Sequence, residues 1–170
     1  QIIFSGKAHP LDDMGKGIVE NLVAMSKKYP NSVVFLQNYG MTIGAALTRG
    51  SDVWLNNPRR PLEASGTSGM KASMNGVLNC SILDGWWPEA CNHGVNGWQF
   101  GDGFESDDDA VLDQHDTDAL YDVLVNQVVP SYYENHEKWV EMMRESILST
   151  KDYFNVKRML QEYNDLMYVK

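Results

Sequence analysis

A chain of 170 residues with 43% hydrophobic side chains is long enough to bury one core and to hold a rigid site. Its formal charge of −9 argues against nucleic acid or an anionic membrane as a main partner, because both recruit clustered Lys and Arg. No run of about 18 apolar residues occurs, and the N-terminus lacks the basic-then-apolar layout of a signal peptide, so the acidic balance suits a cytoplasmic enzyme part.

In chain order, Gln1 to Ser5 reads as a short buried strand, and its abrupt start at Gln1 reads as the edge of a fragment or of a processed chain. Met14 to Tyr29 carries Ile18, Leu22, Val23 and Met25 at helical spacing and ends before Pro30. Ser32 to Gln37 is the next strand, Met41 to Arg49 a small-residue helix stopped by Gly50, and Asp52 to Leu55 a third strand. A Pro-rich turn through Pro58 and Pro61 leads to a helix that opens at Thr67 or Ser68, and Val77 to Leu83 forms a fourth strand. This rhythm implies βαβ units: an α/β, Rossmann-like parallel sheet with helices on both faces and ligands at the carboxyl ends of its strands. Beyond Asp84, residues Trp86, Trp87, Trp98 and Phe100 fall in a Gly- and Asn-rich loop, and an acidic stretch runs from Asp102 to Asp118. Amphipathic helices follow over 117–129, 132–149 and 153–168. The expected division is a single domain over 1–170, with an α/β core over 1–115 and C-terminal helices over 116–170.

The most informative stretch is Glu63-Ala-Ser-Gly-Thr-Ser-Gly-Met-Lys71. Small residues let backbone and ligand approach, and the start of the following helix aims unpaired N–H groups and a positive dipole end at an anion. Lys71 lies one turn in, on the side of Thr67, where it can link covalently to a carbonyl-bearing, phosphate-bearing cofactor. A lone lysine near a helix start is ordinarily a solvated side chain; Gly66 and Gly69 around Thr67 and Ser68, with Glu63 and Ser65 on the entry loop, supply the context of a phosphate cradle beside a polyol site. A nucleotide P-loop does not fit, because Met70 separates Gly69 from Lys71.

Other candidates have plainer readings. Cys80 and Cys91 lack zinc spacing and are free thiols. Trp86 and Trp87 serve packing or a domain contact before sugar stacking. Asp107 to Asp109 lacks the Gly and Glu spacing of a calcium loop, and His9, His93, His115 and His136 share no ligand spacing, so no metal site is expected. Trp139, Met142, Met143, Phe154, Leu160 and Leu166 form an apolar stripe that reads as core, part of it facing a domain outside this chain.

The run from Glu63 through Lys71 to Asn75-Gly76, with Phe35-Leu-Gln-Asn-Tyr39 before it and Leu83-Asp-Gly-Trp-Trp-Pro-Glu-Ala90 after it, resembles the C-terminal domain of the glycogen, starch and maltodextrin (α-glucan) phosphorylases. Ser5 to Pro10 is similar to a Gly-Lys-Ala-x-Pro turn of that family. The resemblance implies the C-terminal half of a GT-B glycosyltransferase fold and phosphorolysis of α-1,4-glucan to glucose 1-phosphate with pyridoxal 5'-phosphate. It makes Lys71 the Schiff-base lysine, places Thr67 and Ser68 at the cofactor phosphate with Tyr39 nearby, and gives Glu63, Ala64, Ser65 and Gly66 to the glucosyl unit. Ser68-Gly69 departs from the Gly-Asn of the animal type while keeping its backbone amides. The implied partners are α-glucan, inorganic phosphate and a missing N-terminal domain, and a homodimer is left open. Without that domain and its basic cluster, the isolated chain is expected to be inactive. Two other readings of the residues stand beside this one: part of a nucleotide-sugar-dependent glucan synthase, and a non-catalytic carbohydrate-binding module using Trp86, Trp87 and Glu63.

Overall fold

The computed structural model describes residues 1–168, which divide into two compact units, residues 1–47 and the residues from Thr48 onward. In the first unit, strands β1 (Ile2–Ser5) and β2 (Val33–Leu36) are parallel, with Ile2 opposite Val33 and Ser5 opposite Leu36, and helix α1 (Asp13–Lys28) crosses between them. Asp12 starts that helix by accepting the Gly15 N–H at 2.8 Å, while Asp13 in its first turn and Lys27 and Lys28 in its last complement the helix dipole. The Tyr29 N–H closes it on the Met25 carbonyl at 2.8 Å, one residue before Pro30. The apolar run at the start is a strand, but not a buried one: Ile2 and Ile3 are 54% and 45% exposed. Among the described residues β2 alone pairs with it, so its apolar side chains have one neighbouring strand rather than two. Helix α2 (Met41–Gly50) crosses the division between the units.

The second unit is built on a three-stranded parallel sheet in the order β3-β4-β5. Strands β3 (Val53–Asn56), β4 (Leu78–Ile82) and β5 (Gly97–Phe100) are in register, Asn56 opposite Ser81 and Ile82 opposite Phe100. All five residues of the central strand β4 are buried, as a doubly covered parallel strand requires. Helix α3 (Thr67–Met74) connects β3 to β4, and the short helix α4 (Trp87–Ala90) lies between β4 and β5. The core joins Leu78, Cys80, Ile82, Trp98 and Phe100 of the sheet to Val123, Val128, Trp139 and Met142 of the helices that follow. Those helices are α5 (Asp109–Val123), continued through a π-helical turn at Leu124–Val128 into α6 (Val129–Glu134), then α7 (His136–Lys151) and α8 (Val156–Tyr163) with a second π-helical turn at Asn164–Tyr168. The α/β class and the parallel sheets are as the sequence implies. No helix among the described residues is long and apolar enough to cross a membrane.

Three further expectations are corrected. The stretch read as one loop from Trp86 to Phe100 contains α4 and β5, with Trp86, Trp87, Trp98 and Phe100 all buried. Gly97 opens β5 because a side chain has no room there: a Cβ would lie 2.8 Å from the Trp87 ring. Helix α5 starts at Asp109, not Thr117, because Asp108 caps it by accepting the Ala110 N–H at 2.9 Å. The apolar stripe of the last helices is core only at Trp139 and Met142; Leu160 and Leu166 are 57% and 82% exposed, since no described element lies across that face of α8 and the turn beyond it.

Arg59, in the turn after β3, grips the start of α5. Its Nε and Nη2 donate to the two carboxylate oxygens of Asp113 at 2.8 and 2.7 Å, and Nη1 to Asp109 at 2.6 Å. The hydrogen bond from Arg59, more than its charge, holds the Asp113 carboxyl below the ordinary 3.8. A depressed folded pKa contributes stability that is present above the unfolded value and lost as pH falls through the folded one. Arg59→Ala is therefore expected to lower the melting temperature at about pH 7, and this deficit should vanish in melts run as pH falls below 3.8. A deficit that persists under acid would assign the loss to packing of the Arg59 stem instead.

Candidate functional site

In a parallel sheet the carboxyl ends of neighbouring strands lie side by side, so the segments leaving β3 after Asn56 and β4 after Ile82 emerge together. The first runs through a turn with a cis Arg60-Pro61 bond into Glu63-Ala-Ser-Gly66 and α3. The second is Leu83 to Trp86, and it holds the first in place. The Asp84 carboxylate accepts the Glu63 N–H at 2.9 Å and the Gly85 N–H at 2.9 Å. From the same turn the Trp86 N–H donates to the Ser65 carbonyl at 2.8 Å.

Helix α3 opens at Thr67 after Gly66, whose φ of 86° and ψ of 40° place it in the left-handed region, where glycine carries no penalty. Gly66 offers no side-chain cap, so the amides at the start of the helix are without a capping side chain among the described residues. The Gly66 carbonyl takes the Gly69 N–H at 3.0 Å, closing the first turn. Trp86 leaves no room for a side chain at 66 or 69, since a Cβ at either position would lie 2.9 Å from its indole, and at 69 it would also lie 2.7 Å from Asn79 Oδ1. Beneath the helix Asn79 donates to the Gly69 carbonyl at 3.1 Å and to Ser73 Oγ at 3.3 Å, and its own Oδ1 is buried without a partner. Ser73 Oγ meets Ser146 Oγ of α7 at 2.8 Å, which fixes α3 from the side opposite its open end.

Lys71 is exposed one turn into α3, four residues after Thr67 and on the same face, and it forms no ion pair among the described residues. Glu63 is half-buried, and its carboxylate accepts the N–H of Ser65, two residues on, at 3.5 Å. The structure thus gathers Glu63, Ala64, Ser65, Gly66, Thr67, Ser68 and Lys71 on one loop and one helix start. Tyr39 belongs to the first unit, where its hydroxyl lies against Gly44 of α2: a Cβ there would be 2.9 Å away. Two open grooves of about 220 and 310 Å³ also belong to the first unit, lined by Lys7, Ala8, Phe35 and their neighbours.

Asp84 and Asn79 are the supporting residues that pattern reading misses; Trp86 takes the packing role expected of it. Asp84 lies inside the Leu-Asp-Gly run, but nothing local shows that its carboxylate closes on a backbone 21 residues earlier. The remaining candidates take structural roles. Burial pushes the Cys80 thiol up to about 12, with a smaller contribution from Cys91, and burial also pushes Cys91 up to about 12; both stay protonated and unreactive at neutral pH. His93 accepts the Gln99 N–H at Nδ1 and pairs with Gln127 through Nε2, and His9 accepts the Leu11 N–H. No cluster of metal-ligating side chains occurs among the described residues.

Residues 1–101 match the family model described as carbohydrate phosphorylase, a span that contains the whole loop, α3 and the Asp84 turn. The chain is 48% identical to maltodextrin phosphorylase of Thermococcus litoralis over 99% of its own length, and 48% identical to glycogen phosphorylase of Aquifex aeolicus over 100%. Glycogen phosphorylase of Mycobacterium bovis is 41% identical over 99%. The chain spans 20%, 25% and 20% of these three relatives. With more than half its residues inside the family model and the glycine-rich loop and its buried supports among them, the chain belongs to the carbohydrate phosphorylase family.

Proposed function

We propose that this chain is the C-terminal, cofactor- and sugar-binding part of a cytoplasmic α-glucan phosphorylase that releases glucose 1-phosphate from α-1,4-glucan. The observation that carries this reading is the uncapped start of α3 with, one turn in, an exposed lysine that forms no ion pair among the described residues. Free amides and hydroxyls at Thr67 and Ser68, in the positive end of the helix dipole, suit a phosphate dianion. An exposed amine four residues on suits a carbonyl. That donor set fits pyridoxal 5'-phosphate, whose phosphate, when bound, supplies acid-base and electrostatic chemistry beside inorganic phosphate.

The residues of this chain bind and orient. Thr67 and Ser68 hold the cofactor phosphate, and Lys71 anchors the cofactor at its aldehyde. The Glu63 carboxylate accepts hydrogen bonds from glucosyl hydroxyls, and the amides of Ser65 and Gly66 donate to the sugar. Ala64, with its small side chain, lets the loop approach it. Tyr39 is assigned to the cofactor on the family resemblance. The chain spans 20% and 25% of two of its relatives; on this reading a domain outside these 170 residues closes over the glucan, so the isolated chain has little or no activity of its own.

The test is chemical labelling of the full-length protein that carries this segment. After incubation with pyridoxal phosphate and reduction with borohydride, peptide mapping is expected to find the modified lysine at Lys71. Labelling at another lysine, or none, removes the cofactor assignment and favours the glucan synthase.

A further inference from the structure

We infer that Asp84 is a positioning residue for the sugar-holding loop: its buried carboxylate sets the direction of Glu63, and the turn it nucleates sets Ser65. The sugar-binding role of that loop rests on the functional reading above; the grip itself is geometric. Asp84 leaves the carboxyl end of the fully buried strand β4, so its backbone inherits the most rigid part of the sheet. It is 9% exposed and uses one carboxylate oxygen on each of two backbone donors, Oδ2 on Glu63 and Oδ1 on Gly85, both at 2.9 Å. The second bond bends the chain at Gly85 into a φ of 58°, which brings the Trp86 N–H onto the Ser65 carbonyl at 2.8 Å. The loop is therefore held at a donor on Glu63 and at an acceptor on Ser65. Fixing both peptide groups leaves little freedom for the Glu63 side chain or for the amides of Ser65 and Gly66 to turn away.

Two features make the grip specific. An ionised carboxylate presents acceptors to both N–H groups, whereas an asparagine must turn its NH2 toward one of them, so one bond is lost and two donors are opposed. Gly85 is equally constrained, because a Cβ there would lie 2.7 Å from the Ser65 carbonyl oxygen and 2.8 Å from Glu63 Cγ. The loop and the turn are packed to contact.

The experiment uses the full-length protein with Asp84→Asn, alone and combined with Glu63→Gln. Amide hydrogen exchange is expected to speed up in peptides covering 63–66 while those of β4 and α3 stay protected. kcat/KM for α-glucan is expected to fall about 10- to 100-fold, with pyridoxal content unchanged, and the same substitution in the Glu63→Gln background should cost no more than about twofold. Unchanged exchange at 63–66 overturns the proposal, as does an equal loss of kcat/KM in both backgrounds. Should Asp84→Asn not fold, Gly85→Ala displaces the loop from the opposite side with the carboxylate in place; protection at 63–66 as in the parent then overturns the proposal. If the parent protein shows no phosphorolysis, it is the functional reading that fails, and exchange still decides whether Asp84 positions the loop.

Discussion

Lys71→Ala in the full-length protein is expected to abolish the borohydride-fixed adduct and to lower phosphorolysis by roughly 10²- to 10⁴-fold, the range associated with loss of a positioned acid-base group. The fold should not notice. Lys71 is exposed and has no ion pair among the described residues, and alanine is the strongest helix former, so the melting temperature should match the parent or slightly exceed it. Lys71→Arg separates the two things a lysine provides. It keeps the positive charge near the α3 start but cannot join an aldehyde, so it should be as inactive as the alanine variant. Activity retained by Lys71→Arg would show that charge, not covalent anchoring, is what the site needs. Rates, pyridoxal absorbance and circular dichroism on the same preparations distinguish these outcomes.

Trp98→Ala is expected to destabilise the chain by about 3–5 kcal/mol, the range for deleting a large aromatic from a packed core. Trp98 is 1% exposed on β5, lies 5.7 Å from the Trp139 ring, and offers its carbonyl to Trp87 Nε1 at 3.2 Å. Its removal leaves a cavity between the sheet and α7 that the surroundings close only in part. Leu160→Ala is the contrast: an equally apolar residue, outward on α8, whose loss should stay within about 0.5 kcal/mol. Urea unfolding followed by far-ultraviolet circular dichroism measures both. A Trp98→Ala effect below about 1 kcal/mol, within the spread of an average substitution, would mean that β5 is not the wall of the core.

The contrast between these two residues also shows where pattern reading works. Val77 to Leu83 is apolar, β-branched and bounded by turn residues, and the strand is there over Leu78–Ile82. The glycines around Thr67 and Ser68 place the start of α3 at one of those two residues, and it is found at Thr67. Trp98 and Phe100 carry the same kind of apolar signal, but only four residues of β5 stand among Asn, Gly and Asp, so local composition reads as loop. What makes them a strand is pairing with β4, a partner some 18 residues earlier in the chain. In the acidic stretch Asp108 and Asp109 are solvent-exposed, but that one caps α5 and the other pairs with Arg59, fifty residues away, depends on the fold.

The sequence by itself determined the α/β class, a helix opening at Thr67 or Ser68, and which small and polar residues run from Glu63 to Lys71. Those follow from neighbours in the chain, where spacing, glycine freedom and helix geometry act over a few residues. Only the tertiary structure decided what holds that loop: Trp86 filling the space above Gly66 and Gly69, Asn79 beneath Gly69, and the Asp84 carboxylate on the Glu63 amide. It also decided which apolar side chains are core and which face outward. Burial and hydrogen-bond satisfaction depend on elements brought together by the parallel sheet, and the residues that meet at its carboxyl edge are distant in the chain.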